Sequence, residues 1–209
     1  MEDKQITEKE SLLIIQQMIH TAKNEQKDDG KAWILWGWFL FAASILTYFN
    51  MEYDWFSTFF FWNLFGAFSI IALVYTAVRS FFTKGSARVK TYTGDLLGKL
   101  NVGFFLTLIL IIVAINVGVR TPEVTMTPTK GFSLMIGLYA FWVLIYGTAL
   151  NFRPSIIASF VMWGIAFVCL FINDFQWIMV LHALAVLAGY IIPGHMANRE
   201  FKKVNRAIL

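Results

Sequence analysis

The chain is poor in charge. Of its 209 residues only 14% are Asp, Glu, Lys or Arg, against roughly 25% in soluble domains. So few charges cannot cover a water-facing surface. Cysteine occurs once, as Cys169, which excludes an internal disulfide framework and a cysteine-based zinc site. The four prolines, Pro122, Pro128, Pro154 and Pro193, fall at the edges of apolar runs or between them. No run is therefore expected to be broken from within. Of the three histidines, only His182 sits inside an apolar run. A haem ligated by two of them would need a second at the same depth, so no cofactor is expected. The phosphate-loop pattern is missing, as are the paired Asn-Pro-Ala turns of water channels. The N-terminal 31 residues hold no short apolar stretch followed by small residues, so no cleavable signal is expected.

What the chain has is apolar length. Hydrophobic residues make up 58% of it, with 21 Phe and 8 Trp. A membrane-spanning helix needs about 20 mainly apolar residues. Six runs qualify: Ala32–Phe49, Trp55–Val78, Leu100–Val119, Phe132–Leu150, Ile156–Ile172 and Phe175–Ile192. None contains Asp, Glu, Lys or Arg. Their apolarity is continuous, without the alternation of a barrel strand, and lipid leaves an unpaired strand no partners. The expected fold is an all-α integral membrane protein with six transmembrane helices.

Charge distribution sets the orientation. Short loops rich in Lys and Arg stay in the cytoplasm. With six spans, 15 of the 17 basic residues fall on one side: in the segment to Lys31, between Arg79 and Lys99, at Arg153, and from Arg199 to Arg206. The other side holds Arg120 and Lys130. Both termini are therefore expected inside, at the inner membrane. Trp33, Trp36 and Trp38 suit the inner boundary, and Tyr53, Trp55 and Trp177 the outer one. The domains expected are a cytosolic segment over 1–31, a transmembrane domain over 32–193 and a basic tail over 194–209.

The polar N-terminus carries a helix signal. Thr7-Glu8-Lys9-Glu10 fits a capping box. Leu12, Ile15, Ile19 and Ala22 then recur at helical spacing, flanked by Ile14 and Met18. A cytosolic amphipathic helix is expected before the first span, with Leu12, Ile15, Met18 and Ile19 as its candidate partner-binding face. The segment to Lys31 holds seven acidic and five basic residues, which argues against anionic lipid as its main target. The basic loop Arg79 to Lys90 is accounted for by topology and by headgroups. Leu35-Trp36-Gly37 resembles Met162-Trp163-Gly164, which suggests a repeated hairpin.

An ionisable residue inside a span is a functional candidate by default. His182 is that candidate, and Asn63 and Asn116 join it as a polar set that could line a path or bond neighbouring helices. Ser133 and His182 lie in helices four and six, as the serine and histidine of rhomboid proteases do. Leu134 replaces the last glycine of the GxSG motif that family uses, and its helix-two histidine is missing, so no catalytic residue is assigned. Glycines within the runs read as close helix-packing points. The sequence points to a non-enzymatic regulatory, sensory or assembly subunit whose partners are the bilayer and another protein, not nucleic acid. The alternative is a small-solute channel or facilitator built as a homo-oligomer.

Overall fold

A backbone in hydrocarbon must pair its own polar groups, and each apolar run does so as a helix. The computed structural model describes Leu12 and residues 29–82, 92–120 and 127–206. The helices are α1 (Lys31–Tyr53), α2 (Phe60–Phe82), α3 (Tyr92–Arg120), α4 (Pro128–Ala149), α5 (Arg153–Cys169), α6 (Phe175–Val186) and α7 (Ile192–Arg206), with a π-helical turn, Leu187–Ile191, joining the last two. No strand occurs among the described residues. Four stretches are long and apolar enough to cross a membrane: Lys31–Tyr53, Leu96–Asn116, Pro128–Ala149 and Phe175–Lys203. Phe60–Ala72 and Arg153–Cys169 are shorter apolar helices.

The helix ends have local causes. Pro128 opens α4 and Pro154 lies in the first turn of α5, where a missing N–H costs nothing. Asn151 takes the left-handed conformation after α4 (φ 51°). Phe152 N–H then donates to Gly147 O at 2.7 Å and Asn151 N–H to Thr148 O at 3.1 Å, which is a Schellman ending. Asp174 caps α6, its Oδ1 accepting from Gln176 N–H at 2.9 Å. The turn from Leu170 to Asp174 keeps α5 and α6 apart as two helices.

Three boundaries differ from the sequence expectation. Residues 50–54 read as a turn, yet α1 runs on to Tyr53. The Asn50 side chain explains the shift. Its Nδ2 donates to Phe56 O at 3.1 Å and Ser57 O at 3.2 Å, and its Oδ1 accepts from Phe56 N–H at 2.8 Å. The turn therefore forms later, and α2 starts at Phe60 instead of Trp55. Pro193 reads as a helix end, yet the helix continues through it to Arg206. The π-turn permits this. Ile192 N–H bonds Leu187 O, five residues back, so the backbone shifts by one residue just before the position that has no N–H to give. The tail expected from 194 is thus helical to Arg206.

The α6–π–α7 rod is the hub. α1, α4 and α5 pack around it, α2 leans on α1, and α3 leans on α4. Ile178, Met179, His182 and Val186 of the hub are fully buried, facing Ile136 and Val143 of α4 and Met162 of α5. α3 is exposed over most of its surface, with Leu106 and Leu110 among its bare side chains, as suits a helix bathed in lipid.

Glycine divides into two kinds. A Cβ at Gly37 would stand 2.8 Å from Ile191 Cγ1 and 3.0 Å from Tyr190 Cβ, and one at Gly189 would run into the Met162 side chain. Gly147 likewise sits tight on Ser155 and Ile156. These are close-approach points. Gly66, Gly103, Gly137 and Gly164 have nothing within 4 Å, so they are not packing points among the described residues. Gly37 and Gly164, which the suggested repeat would equate, stand in opposite settings. Gly189→Val is accordingly expected to cost about 1–3 kcal/mol by overpacking, while Gly164→Ala changes stability by less than about 1 kcal/mol. Thermal unfolding of both variants in mild detergent reads the difference.

Candidate functional site

Apart from Leu40, the buried stripe of α1 is made of small and polar residues: Gly37, Ala43, Ser44, Thr47 and Asn50. Small side chains let a second backbone come close, and α6 with its extension fills that place, running antiparallel. The pair is joined at three depths. At one end Gln176 Nε2 donates to Glu52 Oε2 at 2.9 Å. In the middle Ser44 Oγ meets His182 Nδ1 at 2.8 Å. At the other end Asn198 Nδ2 donates to Asp29 O at 2.7 Å, and Gly30, at φ 69° and buried, lies against Gly194 and Ala197. A side chain there would be strained by the backbone and blocked by Gly194 O.

His182 and Ser44 are both 0% exposed. Ser44 Oγ also lies 2.8 Å from Leu40 O, and one hydroxyl has one proton to give. If the proton goes to Leu40, the imidazole donates from Nδ1 and Nε2 is a bare acceptor. If it goes to Nδ1, Nε2 carries the ring's proton. Either way Nε2 is buried and has no hydrogen bond among the described residues. Around it stand aromatic rings: Trp62 from α2 at 5.1 Å between centroids, Phe132 at 5.9 Å and Tyr139 at 5.8 Å from α4, all steeply inclined to the imidazole. In the tautomer where Nε2 carries the proton, its N–H can face a ring's electron-rich surface in place of a polar partner. Trp62 is itself fixed by its Nε1–H, which donates to Met179 Sδ at 3.3 Å.

The rings continue in both directions. Phe132 meets Phe175 at 5.2 Å, and Phe175 meets Phe59 at 5.5 Å. Tyr139 meets Tyr190 at 5.9 Å, Tyr190 meets Trp33 at 4.9 Å, and Trp33 meets Tyr146 at 4.7 Å. His182 is therefore the polar middle of an aromatic column that follows the hub from the start of α6 to the start of α1.

The sequence candidates part company here. His182 is enclosed, whereas Asn63 and Asn116 are exposed on the outer faces of α2 and α3, and Asn116 Nδ2 donates to its own helix at Ile112 O, 2.9 Å. The three do not share a buried polar site among the described residues. Leu12 is exposed. Ile15, Met18 and Ile19 lie outside the described residues. Ser133 bonds Thr129 O at 2.9 Å, so the hydroxyl on His182 comes from Ser44 instead. A serine on an imidazole is a pairing used in nucleophilic catalysis, but rings occupy the place of the third, orienting group. Among the described residues no cluster of three metal-ligating side chains occurs. At the mouth of α1, Lys31 N–H and Nζ each lie 3.1 Å from the Asp29 carboxylate. That backbone bond, with the ammonium, holds the Asp29 pKa below its usual value.

Ser44, Trp62 and Tyr139 escaped the sequence reading. The one available signal was the small-residue stripe of α1, which marks a close helix contact without naming its partner. Removing one member of the tie leaves the other buried and unpaired, at about 1–3 kcal/mol. Ser44→Ala and His182→Leu are each expected to destabilise by that order, and the double variant by clearly less than their sum. A double-mutant cycle by thermal or denaturant unfolding in detergent checks it, and strict additivity would refute the tie. No protein-family model matches the chain, and no curated protein or solved structure is significantly similar to it.

Proposed function

We propose that the chain is a six-span protein of the inner membrane, with both termini in the cytoplasm. It acts as a regulatory, sensory or assembly subunit through a protein partner. The six-span part of this reading draws on helix lengths. α2 has 23 residues, about 34 Å at 1.5 Å per residue, which exceeds a hydrocarbon core of about 30 Å. α5 has 17 residues, at the short limit for a span. The orientation draws on the basic residues, 15 of 17 on one side.

The functional part is carried by one observation: α1 is joined to the α6–π–α7 rod at both ends and in the middle. The N-terminal segment enters at Asp29, where Asn198 of α7 holds the chain. α7 then leaves the apolar region as a polar helix carrying Arg199, Glu200, Lys202 and Lys203. A tilt of α1 in the membrane is thereby handed to α7 and to the entry point of the N-terminal segment together. That is a mechanical output on one side of the bilayer, suited to a partner docked on the face of Leu12, Ile15, Met18 and Ile19.

A photoactivatable amino acid at Ile15 or Ile19, irradiated in native membranes, is expected to give one discrete adduct with a second protein, and none from Lys4. A uniform smear, or lipid adducts alone, would sink the partner reading. Alkaline phosphatase fused after Met126 or Asn173 is expected to be active, and after Ser86 or Leu209 inactive. The reverse pattern would overturn the topology independently.

A further inference from the structure

Where α1 begins, α4 turns into α5 and α7 leaves the apolar region, the helices enclose a pocket of about 160 Å³. Four of its walls are aromatic: Trp33, Tyr146, Phe152 and Phe201. Among the described residues Glu200 is the charged one that lines it, and no Lys or Arg does. Glu200 is exposed and makes no ion pair among the described residues. Ser155 lines the pocket as well and is only 4% exposed. Its hydroxyl makes no hydrogen bond among the described residues, although serines deeper in the bundle, such as Ser44 and Ser159, bond a carbonyl of their own helix. As a pocket-lining hydroxyl it can give or accept a hydrogen bond to an occupant.

The chemistry of the walls selects the ligand. Aromatic faces are electron-rich and attract cations, Trp most strongly, by about 0.5–2 kcal/mol each. A lone carboxylate at the rim adds attraction for positive charge and repels anions. The volume is below the roughly 300–1,000 Å³ of a drug-sized site, so a compact group fits and a large metabolite does not. We propose that this pocket binds a small organic ammonium group of the ethanolamine or choline kind. Its cation lies against Trp33 and the neighbouring rings with Glu200 at the rim, and Ser155 accepts an N–H from a primary ammonium or bonds a hydroxyl. The group arrives either as a free amine or as the head of a zwitterionic phospholipid. The pocket opens where the chain leaves the apolar region, which is the depth of lipid headgroups. The inference is independent of the partner reading, since it uses no residue of the N-terminal segment.

The test uses the full chain, purified and delipidated in an uncharged maltoside detergent, beside Glu200→Gln. That variant removes the charge from an exposed position of a polar helix and leaves the fold intact. Ethanolamine and choline chloride are titrated against sodium chloride at equal ionic strength while thermal unfolding is followed. In parallel, phospholipid retained by undelipidated protein is counted by native mass spectrometry. A saturable rise of about 2–4 °C in Tm with the amine, absent from Glu200→Gln, supports a free ammonium ligand. No rise with free amine, but about one ethanolamine or choline phospholipid held by the wild type and lost from Glu200→Gln, supports a headgroup. Neither effect, or the same effect in both proteins, overturns the proposal.

Discussion

A serine hydroxyl and an imidazole meet in the middle of an apolar bundle, and much of the architecture follows from that meeting. Water cannot serve either group there, and each would be costly alone. Held 2.8 Å apart, they fix α1 and the hub in both rotation and register. Ser44 must face the hub, so Gly37, Leu40 and Thr47 share its stripe. The antiparallel register then brings Glu52 to Gln176 and Asp29 to Asn198. One interior contact and two end contacts thus describe a single seam.

The same scarcity of water governs the other polar side chains. Thr47, Ser69, Thr107 and Ser133 each return their hydroxyl to the carbonyl four residues earlier, the local escape open to a hydroxyl in a helix. These bonds ask nothing of neighbouring helices, so they leave specificity to shape and to the seam. Among the described residues α2 and α3 lack such a seam, and each leans on one neighbour. Trp62 is the exception that reaches inward, and its ring closes the space beside His182. The π-turn serves the hub in turn. It absorbs Pro193 and keeps the rod continuous from the apolar region into the polar end of α7.

Much of the fold was legible because the bilayer acts locally: an apolar run of spanning length must be a helix whatever surrounds it. The breaks at Asn151 and Asp174 were legible as gaps between apolar runs, and their chemistry lies within a few residues. The misplacements all involve distance or backbone adaptation. Asn50 looked like a turn residue and is one, but its side chain acts on Phe56 and Ser57, six and seven positions on. Pro193 looked like an end because a π-turn leaves no mark in composition. His182 was singled out by its rarity in an apolar run. Its partner lies 138 residues away, and nothing in one sequence distinguishes Ser44 from Ser133. Glycine was misread at four of the seven positions within the runs, since spacing shows where a helix could pack closely and not whether a neighbour comes.

The seam matters functionally if something waits at its end. Native mass spectrometry of the intact particle, taken from native membranes in mild detergent with and without residues 1–26, asks this most directly. The account predicts a stoichiometric second protein that disappears with the deletion. A homo-oligomer unchanged by the deletion would contradict it, and would shift weight to a solute facilitator with Asn63 and Asn116 at the contacts between copies.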